Sequence, residues 1–209
     1  MGRSQRQKKS QHVGRALAKT SEEIASEKLN ESEKVKPTRY YFFWQKGSPF
    51  SQWHPCRYEL NNVAYCCAEQ GMMHGKAELF KDHEAAEKIL STNDPGLMKS
   101  LGRAVRSFDD KKWRQNRERI VYENSLAKFT QNPHLLESLM NTEGLLVEAS
   151  PYDRIWGIGL SEAKARNLPD EKWRGLNLLG KILTQVRDEI KSGMHDELIA
   201  ASVGQASEI

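Results

Sequence analysis

The sequence predicts an α+β domain, mainly helical, that follows a disordered tail. Residues 1–37 are rich in Ser, Lys, Glu and Gln and contain no Phe, Tyr or Trp. Such a segment cannot bury enough apolar surface to offset the entropy of ordering. The rest of the chain carries several helical patterns and only a few strand patterns. Its length of 209 residues allows one good-sized core and at most two domains.

Aromatic and aliphatic runs predict three short strands. The run YYFFW at residues 40–44 has the side chains that favour a strand. Residues 57–62 and residues 145–149 are predicted as the second and third strands. We expect Asn61 and Asn62 to turn the chain from the second strand into the helix that follows.

Apolar residues at helical spacing predict a central helix over residues 64–80. Further helical patterns, bounded by Pro, Gly and Asp, cover residues 83–90, 95–103, 111–131, 133–141 and 175–192, with a helical turn at 169–174. Asp109 is placed to cap the longest helix, and Gly102 is predicted as the C-cap of an earlier one. The domain therefore extends over residues 38–193, and residues 194–209 are assigned to a C-terminal tail.

The basic excess of the chain lies in its tail. Lys and Arg exceed Asp and Glu by four in the whole sequence, and residues 1–36 alone carry nine basic and five acidic side chains. The remaining residues are electrically balanced. The folded part therefore lacks the bulk charge of a protein that grips long nucleic acid by its phosphates. Short basic patches are still compatible with this balance.

Composition also indicates the compartment. Cys56, Cys66 and Cys67 have the spacing of neither a disulfide framework nor a zinc site, which indicates a reducing environment. No apolar run approaches the length of a membrane span, and no secretory apolar segment opens the sequence. We therefore expect an intracellular protein, cytoplasmic or nuclear. We further expect a monomer with no membrane or obligate protein partner, no cofactor and no metal.

Two charged residues interrupt the apolar face of the central helix. Glu69 and Lys76 are seven residues apart, about two helical turns, so their side chains project from nearly the same face. One interpretation is a buried ion pair with a structural role. Another is a general acid beside a nucleophile or an anion-binding amine in a pocket.

Two loops combine aromatic rings with hydrogen-bonding groups. The aromatic loop, residues 50–55, has the sequence FSQWHP, and the glycine loop, residues 150–159, has the sequence SPYDRIWGIG. Stacking surfaces beside a few fixed polar groups suit a flat ligand with polar edges, and Gly157 would let the backbone approach that ligand. The alternative is structural, with Phe50 covering the core beneath its loop and Trp156 filling the core behind a turn.

Six motifs in order resemble those of the NADAR family, also described as YbiA-like. They are an aromatic run followed by PFSQWHP, then AEQGMMHGKAELF, KSLGR, a Trp-led long helix with AKF, LVEASPYDRIWGIG and WRGLNLLGKILTQVR. The resemblance spans about residues 40–190. It implies a compact, mainly helical α+β domain with a few short strands. It also implies a pocket for an N-linked ribose phosphate or ADP-ribose.

The resemblance further implies which residues act. The catalytic residues would be Glu69, Lys76 and Asp153. The residues that contact the substrate would be Phe50, Ser51, Gln52, Arg103, Trp113, Trp156 and Gly157. The family usually has Asn at the position of Gln52. No metal ligand is implied.

Cleavage of N-glycosidic bonds is the activity that this family implies. Glu69 would protonate the leaving base nitrogen. Lys76 would either attack the anomeric carbon and form a Schiff base, or only balance charge. Asp153 would orient a ribose hydroxyl or activate a water molecule. Trp156 would stack on a base, and Arg103 would hold a phosphate.

The form of the glycine loop resembles the branch that removes ADP-ribose from guanine bases in nucleic acid. We therefore expect an N-glycosyl hydrolase, specifically an ADP-ribosyl glycohydrolase. One alternative is the same chemistry on a phosphoribosylamino intermediate of the riboflavin pathway. A second is a module that binds ADP-ribose or NAD without cleaving it, and a third is a structural domain with buried ion pairs.

Overall fold

The computed structural model describes residues 39–206, and their side chains as far as residue 202. The predicted disordered tail, residues 1–37, lies outside this part of the chain. The strands are β1 (Tyr40–Phe43), β2 (Tyr58–Leu60), β3 (Val63–Tyr65) and β4 (Leu145–Glu148). The helices are α1 (Ala68–Leu79), α2 (His83–Leu90), α3 (Pro95–Arg103), α4 (Asp110–Thr130), α5 (Pro133–Met140), α6 (Glu162–Ala165), α7 (Leu178–Lys191) and α8 (Asp196–Ala206), with a 3-10 turn at Asp170–Lys172.

The strands form two separate pairs. β1 and β4 are parallel, and Phe43 at the end of β1 lies beside Glu148 at the end of β4. β2 and β3 form an antiparallel hairpin in which Tyr58 opposes Tyr65. A parallel pair requires a long crossover connection, and helices α1 to α5 lie within that connection. The crossover therefore brings a carboxylate from the second half of the chain to the end of the first strand.

Helix α1 lies at the centre of the helical part of the fold. It packs against α2, α3 and α4, and every residue from Ala68 to Met73 is buried. Core side chains around it, such as Ile89, Met98 and Phe129, are fully excluded from solvent. A helix that is enclosed in this way cannot turn its polar residues to water. Its two buried charged side chains, Glu69 and Lys76, must therefore find partners, or a cavity, inside the protein.

The predicted fold class, mainly helical α+β with a few short strands, is confirmed. The caps expected for the longest helix also form, because the Asp109 carboxylate accepts a hydrogen bond from the backbone N–H of Lys112. Pro95 opens α3 at a position where a missing N–H has no cost.

The predicted start of the central helix is wrong by four residues. The helix begins at Ala68, and Val63–Tyr65 form strand β3 instead. Asn61 and Asn62 have φ angles of 53° and 62°, so both lie in the left-handed region. Two such residues make the tight turn that matches the twist of an antiparallel hairpin. They therefore return the chain along β2 rather than leading it into a helix.

Gly102 is not the C-cap that the sequence predicted. Helix α3 continues through it to Arg103, and Ala104 caps the helix. A Cβ atom at Gly102 would lie 2.0 Å from the sulfur of Met73 on α1. The glycine is therefore needed for close packing between two helices, and that packing sets the position of the next residue, Arg103.

Part of the assigned C-terminal tail is helical. Within residues 194–209, α8 covers Asp196–Ala206, and the Ser202 hydroxyl donates to the carbonyl oxygen of Thr130 at the end of α4. None of the helices between residues 39 and 206 combines the length and the hydropathy needed to cross a bilayer.

Candidate active site

A cavity of about 670 Å³ lies between the two loops. We call it the central cavity. Its walls are the aromatic loop, one side of α1, the last turn of α3, the start of α4, the end of β4 and the glycine loop. The predicted site residues that line it are Ser51, Gln52, Glu69, Lys76, Arg103, Trp113, Asp153 and Trp156. The volume is in the range that holds one cofactor-sized molecule.

Glu69 is the most deeply buried acid of the central cavity. It lies in the first turn of α1 with 3% of its surface exposed, and its Oε1 atom has no hydrogen-bond partner. Burial raises the pKa of its carboxyl group to about 7, and the nearby Asp153 adds to the rise. Lys99, Arg103 and a hydrogen bond from Trp53 act in the opposite direction. Much of Glu69 is therefore protonated at neutral pH.

Lys76 is held by the protein rather than paired with Glu69. Its Nζ donates to the carbonyl oxygen of Gly102 over 2.7 Å and lies 4.3 Å from the ring centre of Phe108. Among the described side chains, no ion pair joins Lys76 to Glu69, so the buried ion pair is not formed. Burial lowers the pKa of the Lys76 amine, and the positive charge of Arg103 lowers it further. A lowered pKa increases the fraction of free amine, which is the nucleophilic form.

Glu148 is a second candidate acid that the sequence analysis missed. It ends β4, lines the central cavity, and has a buried Oε2 atom without a partner. Burial, with a contribution from Asp153, raises the pKa of its carboxyl group to about 8. The available signal was an acid that follows three aliphatic residues directly before the glycine loop. At the end of a predicted strand, an acid is usually exposed to solvent, so the sequence offered no reason to place Glu148 in a site.

Asp153 has a structural task in addition to its place in the cavity. Its Oδ1 atom accepts hydrogen bonds from the backbone N–H groups of Ile155 and Trp156, each 2.8 Å long. Its own backbone N–H donates to the hydroxyl oxygen of Ser150. These bonds form a local turn. The carboxylate therefore fixes the glycine loop and, with it, the indole of Trp156.

Cations from α3 balance the carboxyl groups. Lys99 and Arg103 are one helical turn apart and both line the central cavity. The Nζ of Lys99 lies 6.0 Å from the ring centre of Trp53, and its charge lowers the pKa values of both Glu69 and Glu148. Lys99 was also missed, although its four-residue spacing from Arg103 was a readable signal. Two cations at this spacing suit an anionic group such as a phosphate.

Exposed aromatic side chains stand at the mouth of the central cavity. Trp44 and Tyr152 both line it, and their ring centres are 6.4 Å apart. Tyr152 has 87% of its surface exposed. Exposed rings at the edge of a cavity provide stacking surfaces for flat ligands. Neither residue was among the sequence-predicted contacts, because position along the chain does not reveal which aromatics reach the cavity.

Two predicted contact residues do not line the central cavity. Phe50 is 3% exposed and its ring packs against those of Phe43 and Phe129, so it covers the core beneath the aromatic loop. A Cβ atom at Gly157 would lie 2.8 Å from the carbonyl oxygen of Glu148. The glycine therefore permits close packing of the glycine loop against β4, and not the approach of a ligand. Within residues 39–206, no three His, Cys, Asp or Glu side chains cluster to hold a metal ion.

Comparison with known proteins agrees with this architecture. The sequence matches the NADAR domain over residues 41–191. An N-glycosidase of Acanthamoeba polyphaga mimivirus is 44% identical over 146 residues, covering 67% of this chain and 86% of that protein. The chloroplastic riboflavin biosynthesis protein PYRR of Arabidopsis thaliana is 32% identical over 114 residues, covering 52% of this chain and 17% of that protein.

The fold has a solved counterpart. The NMR structure of the E. coli protein YbiA superimposes with a TM-score of 0.61 and 22% sequence identity, covering 77% of this chain and 89% of that one. At this identity the likeness concerns the fold alone. The family resemblance predicted from the six motifs is confirmed by the match over residues 41–191 and by the identity to the viral enzyme. The chain therefore belongs to the NADAR domain family.

Proposed function

We propose that the protein removes ADP-ribose from ADP-ribosylated guanine bases by hydrolysing the bond between the ribose and the base. The observation that carries this proposal is the state of Glu69. A buried carboxyl group with a pKa raised to about 7 has a free oxygen in a cavity that Lys99 and Arg103 also line. A protonated acid beside two phosphate-binding cations suits a phosphorylated N-glycoside.

Glu69 supplies the proton that the leaving base requires. The bond from the anomeric carbon to the base nitrogen breaks, its electron pair stays on the nitrogen, and the Glu69 proton neutralises that nitrogen. The sugar carbon then carries positive charge, as in other glycoside hydrolyses. The carboxyl groups of Glu148 and Asp153 lie in the same cavity. In its ionised form either group stabilises that charge, or accepts a proton from the attacking water.

The remaining cavity groups suit the rest of an ADP-ribose molecule. Arg103 and Lys99 provide donors for the two phosphates, with Arg offering the planar fork that matches phosphate oxygens. The indoles of Trp113 and Trp156 and the exposed ring of Tyr152 offer stacking surfaces for the adenine or the guanine. Because the folded part carries little net charge, we assign recognition to the modified nucleotide rather than to a long phosphate backbone.

A second candidate is hydrolysis of a small phosphoribosylamino compound of the riboflavin pathway. The specific observation in its favour is the 32% identity to a protein named for riboflavin biosynthesis, although the match covers 17% of that protein. Both reactions would use Glu69 as the acid, would develop positive charge at the sugar carbon, and would involve at least one phosphate of the substrate. The two candidates differ in whether the second phosphate and the adenine are used.

A side-by-side comparison of kcat/KM decides between the candidates. The two substrates are an oligonucleotide with ADP-ribose on one guanine and a phosphoribosylamino-pyrimidine. The proposal expects the higher kcat/KM with the oligonucleotide. It also expects Arg103→Met to lower kcat/KM more for the oligonucleotide than for the pyrimidine. A higher value with the pyrimidine would move the assignment to the second candidate. Binding of free ADP-ribose without turnover of either substrate would identify a module that binds but does not cleave.

A further inference from the structure

A lysine outside the central cavity is fully buried and paired only with backbone carbonyl groups. Lys128, on α4, has 2% of its surface exposed. Its Nζ donates to the carbonyl oxygen of Pro49 over 2.6 Å and to that of Ser51 over 2.9 Å. Among the described residues no carboxylate forms an ion pair with it, and the ring centre of Phe129 lies 5.1 Å away.

This arrangement is costly for stability alone. Removing an ammonium group from water carries a large penalty, which no carboxylate offsets here. Burial accordingly lowers the pKa of the Lys128 amine to about 8, while the thiols of Cys56 and Cys67 act slightly in the opposite direction. An apolar side chain of similar volume would fill the same space without that penalty. The two carbonyl groups would then lose their donors.

The two carbonyl groups that Lys128 contacts lie in the aromatic loop, at Ser51, and directly before it, at Pro49. The next carbonyl, that of Gln52, accepts the backbone N–H of Glu69 over 2.9 Å. The side chain of the residue after it, Trp53, faces the carboxyl group of Glu69 and lowers its pKa. Displacement of the aromatic loop would therefore reach Glu69 through both its backbone and its carboxyl group.

We propose that Lys128 is a positioning residue for the active site, which fixes the aromatic loop through its two carbonyl contacts and thereby orients Glu69. Its catalytic consequence rests on the proposed function of Glu69, but its structural consequence does not. Lys128 does not line the central cavity. It acts through the loop.

Different charged and titratable groups surround Lys128 and Glu69, and the test must distinguish their effects. Lys128 faces the thiols of Cys56 and Cys67, and its charge lowers the pKa of the His54 imidazole, whose pKa is lowered chiefly by burial. Glu69 faces a different set. Its carboxyl group responds to the charges of Lys99, Arg103, Asp153 and Glu148, and to the hydrogen bond from Trp53. Of these, Trp53 belongs to the aromatic loop, and Lys99 lies against its ring.

The test is a carbon NMR titration of the Glu69 carboxyl group, in protein without substrate, for wild type and Lys128→Met. Burial raises the pKa of Glu69 and Trp53 lowers it, so displacement of the aromatic loop should shift the measured pKa away from its wild-type value. Under the proposed function, kcat at the pH optimum should also fall about tenfold to a hundredfold, as displaced catalytic groups do. Lys128→Leu, which likewise has no donor, replaces Lys128→Met if the latter does not fold.

Thr130→Val is the matched control. Thr130 is buried on the same helix, and its hydroxyl donates to the carbonyl oxygen of Leu126, away from the aromatic loop. The control should lower the unfolding temperature and leave the pKa of Glu69 unchanged. A folded Lys128→Met or Lys128→Leu variant with the wild-type pKa of Glu69 would overturn the proposal. Because the titration requires no turnover, its result tests the role of Lys128 even if the proposed substrate is wrong.

Discussion

The backbone N–H of Glu69 donates a hydrogen bond to the carbonyl oxygen of Gln52 over 2.9 Å. The first N–H groups of a helix have no partner within the helix, so this bond supplies one from the aromatic loop. The candidate acid and the loop that forms one wall of the central cavity are therefore a single structural unit. Changes in either should be detected in the other.

The first prediction concerns the pH dependence of turnover. Glu69 donates a proton in the proposed reaction, so activity should be high below its pKa and fall as pH rises through about 7. The measurement is kcat/KM between pH 5 and pH 9, which reports the pKa values of the free enzyme. Asp153→Asn removes a negative charge that raises this pKa, so it should move the descending limb to lower pH. A limb at the same pH in both proteins would contradict the assignment of that limb to Glu69.

The second prediction is that Glu148→Gln stabilises the protein at alkaline pH. Folding raises the pKa of Glu148 from 4.5 to about 8, so the folded state retains a proton that the unfolded state has lost between those values. Stability then falls as pH rises through this window. The amide cannot ionise, so its unfolding temperature should exceed that of wild type at pH 9 and match it near pH 4. An equal difference in unfolding temperature between variant and wild type at pH 4 and pH 9 would exclude this explanation.

The third prediction separates the two roles of Lys76. If its amine forms a Schiff base with the opened sugar, borohydride added during turnover should leave a sugar adduct on Lys76 that peptide mass analysis detects. Lys128 is the matched internal control, because it is buried outside the central cavity and should remain unmodified. Active enzyme that yields no adduct would assign Lys76 to charge balance alone.

The fourth prediction distinguishes the charge of Asp153 from its hydrogen bonds. Asn retains an oxygen that can accept the two backbone N–H groups of the glycine loop, whereas Ala does not. We expect Asp153→Ala to lower the unfolding temperature more than Asp153→Asn. If the carboxylate also assists the reaction, both variants should lose kcat. A fully active Asp153→Asn variant would leave Asp153 with the structural role only.

The sequence predicted the starts of α3 and α4, because these depend on residues that are close together in the chain. Asp109 caps α4 and Pro95 opens α3 because capping and proline geometry act within one turn of the chain. The hairpin of β2 and β3 was missed because a three-residue strand such as Val63–Tyr65 exists only through its partner. The pair Asn61-Asn62 was nevertheless a hairpin signal.

Some residues of the candidate site were likewise identifiable from the sequence, and others were not. Glu69 was identifiable because an acid on an apolar helix face contradicts the pattern around it. Glu148 and Lys99 lie where charged residues are ordinary, at a strand end and on an amphipathic helix. Their place in the central cavity follows from the parallel strand pairing and the helix packing. Phe50 shows the reverse case, because its motif predicts a contact with the substrate whereas its side chain is buried in the core.

The most direct measurement is mass analysis of an oligonucleotide bearing ADP-ribose on guanine, after incubation with wild type or Glu69→Gln. We predict that wild type removes the full mass of ADP-ribose and leaves an intact guanine. The amide cannot donate the proton, so turnover should fall by about 10²- to 10⁴-fold in a folded variant. An oligonucleotide left unchanged by wild type, or cleaved equally fast by both proteins, would contradict the assignment.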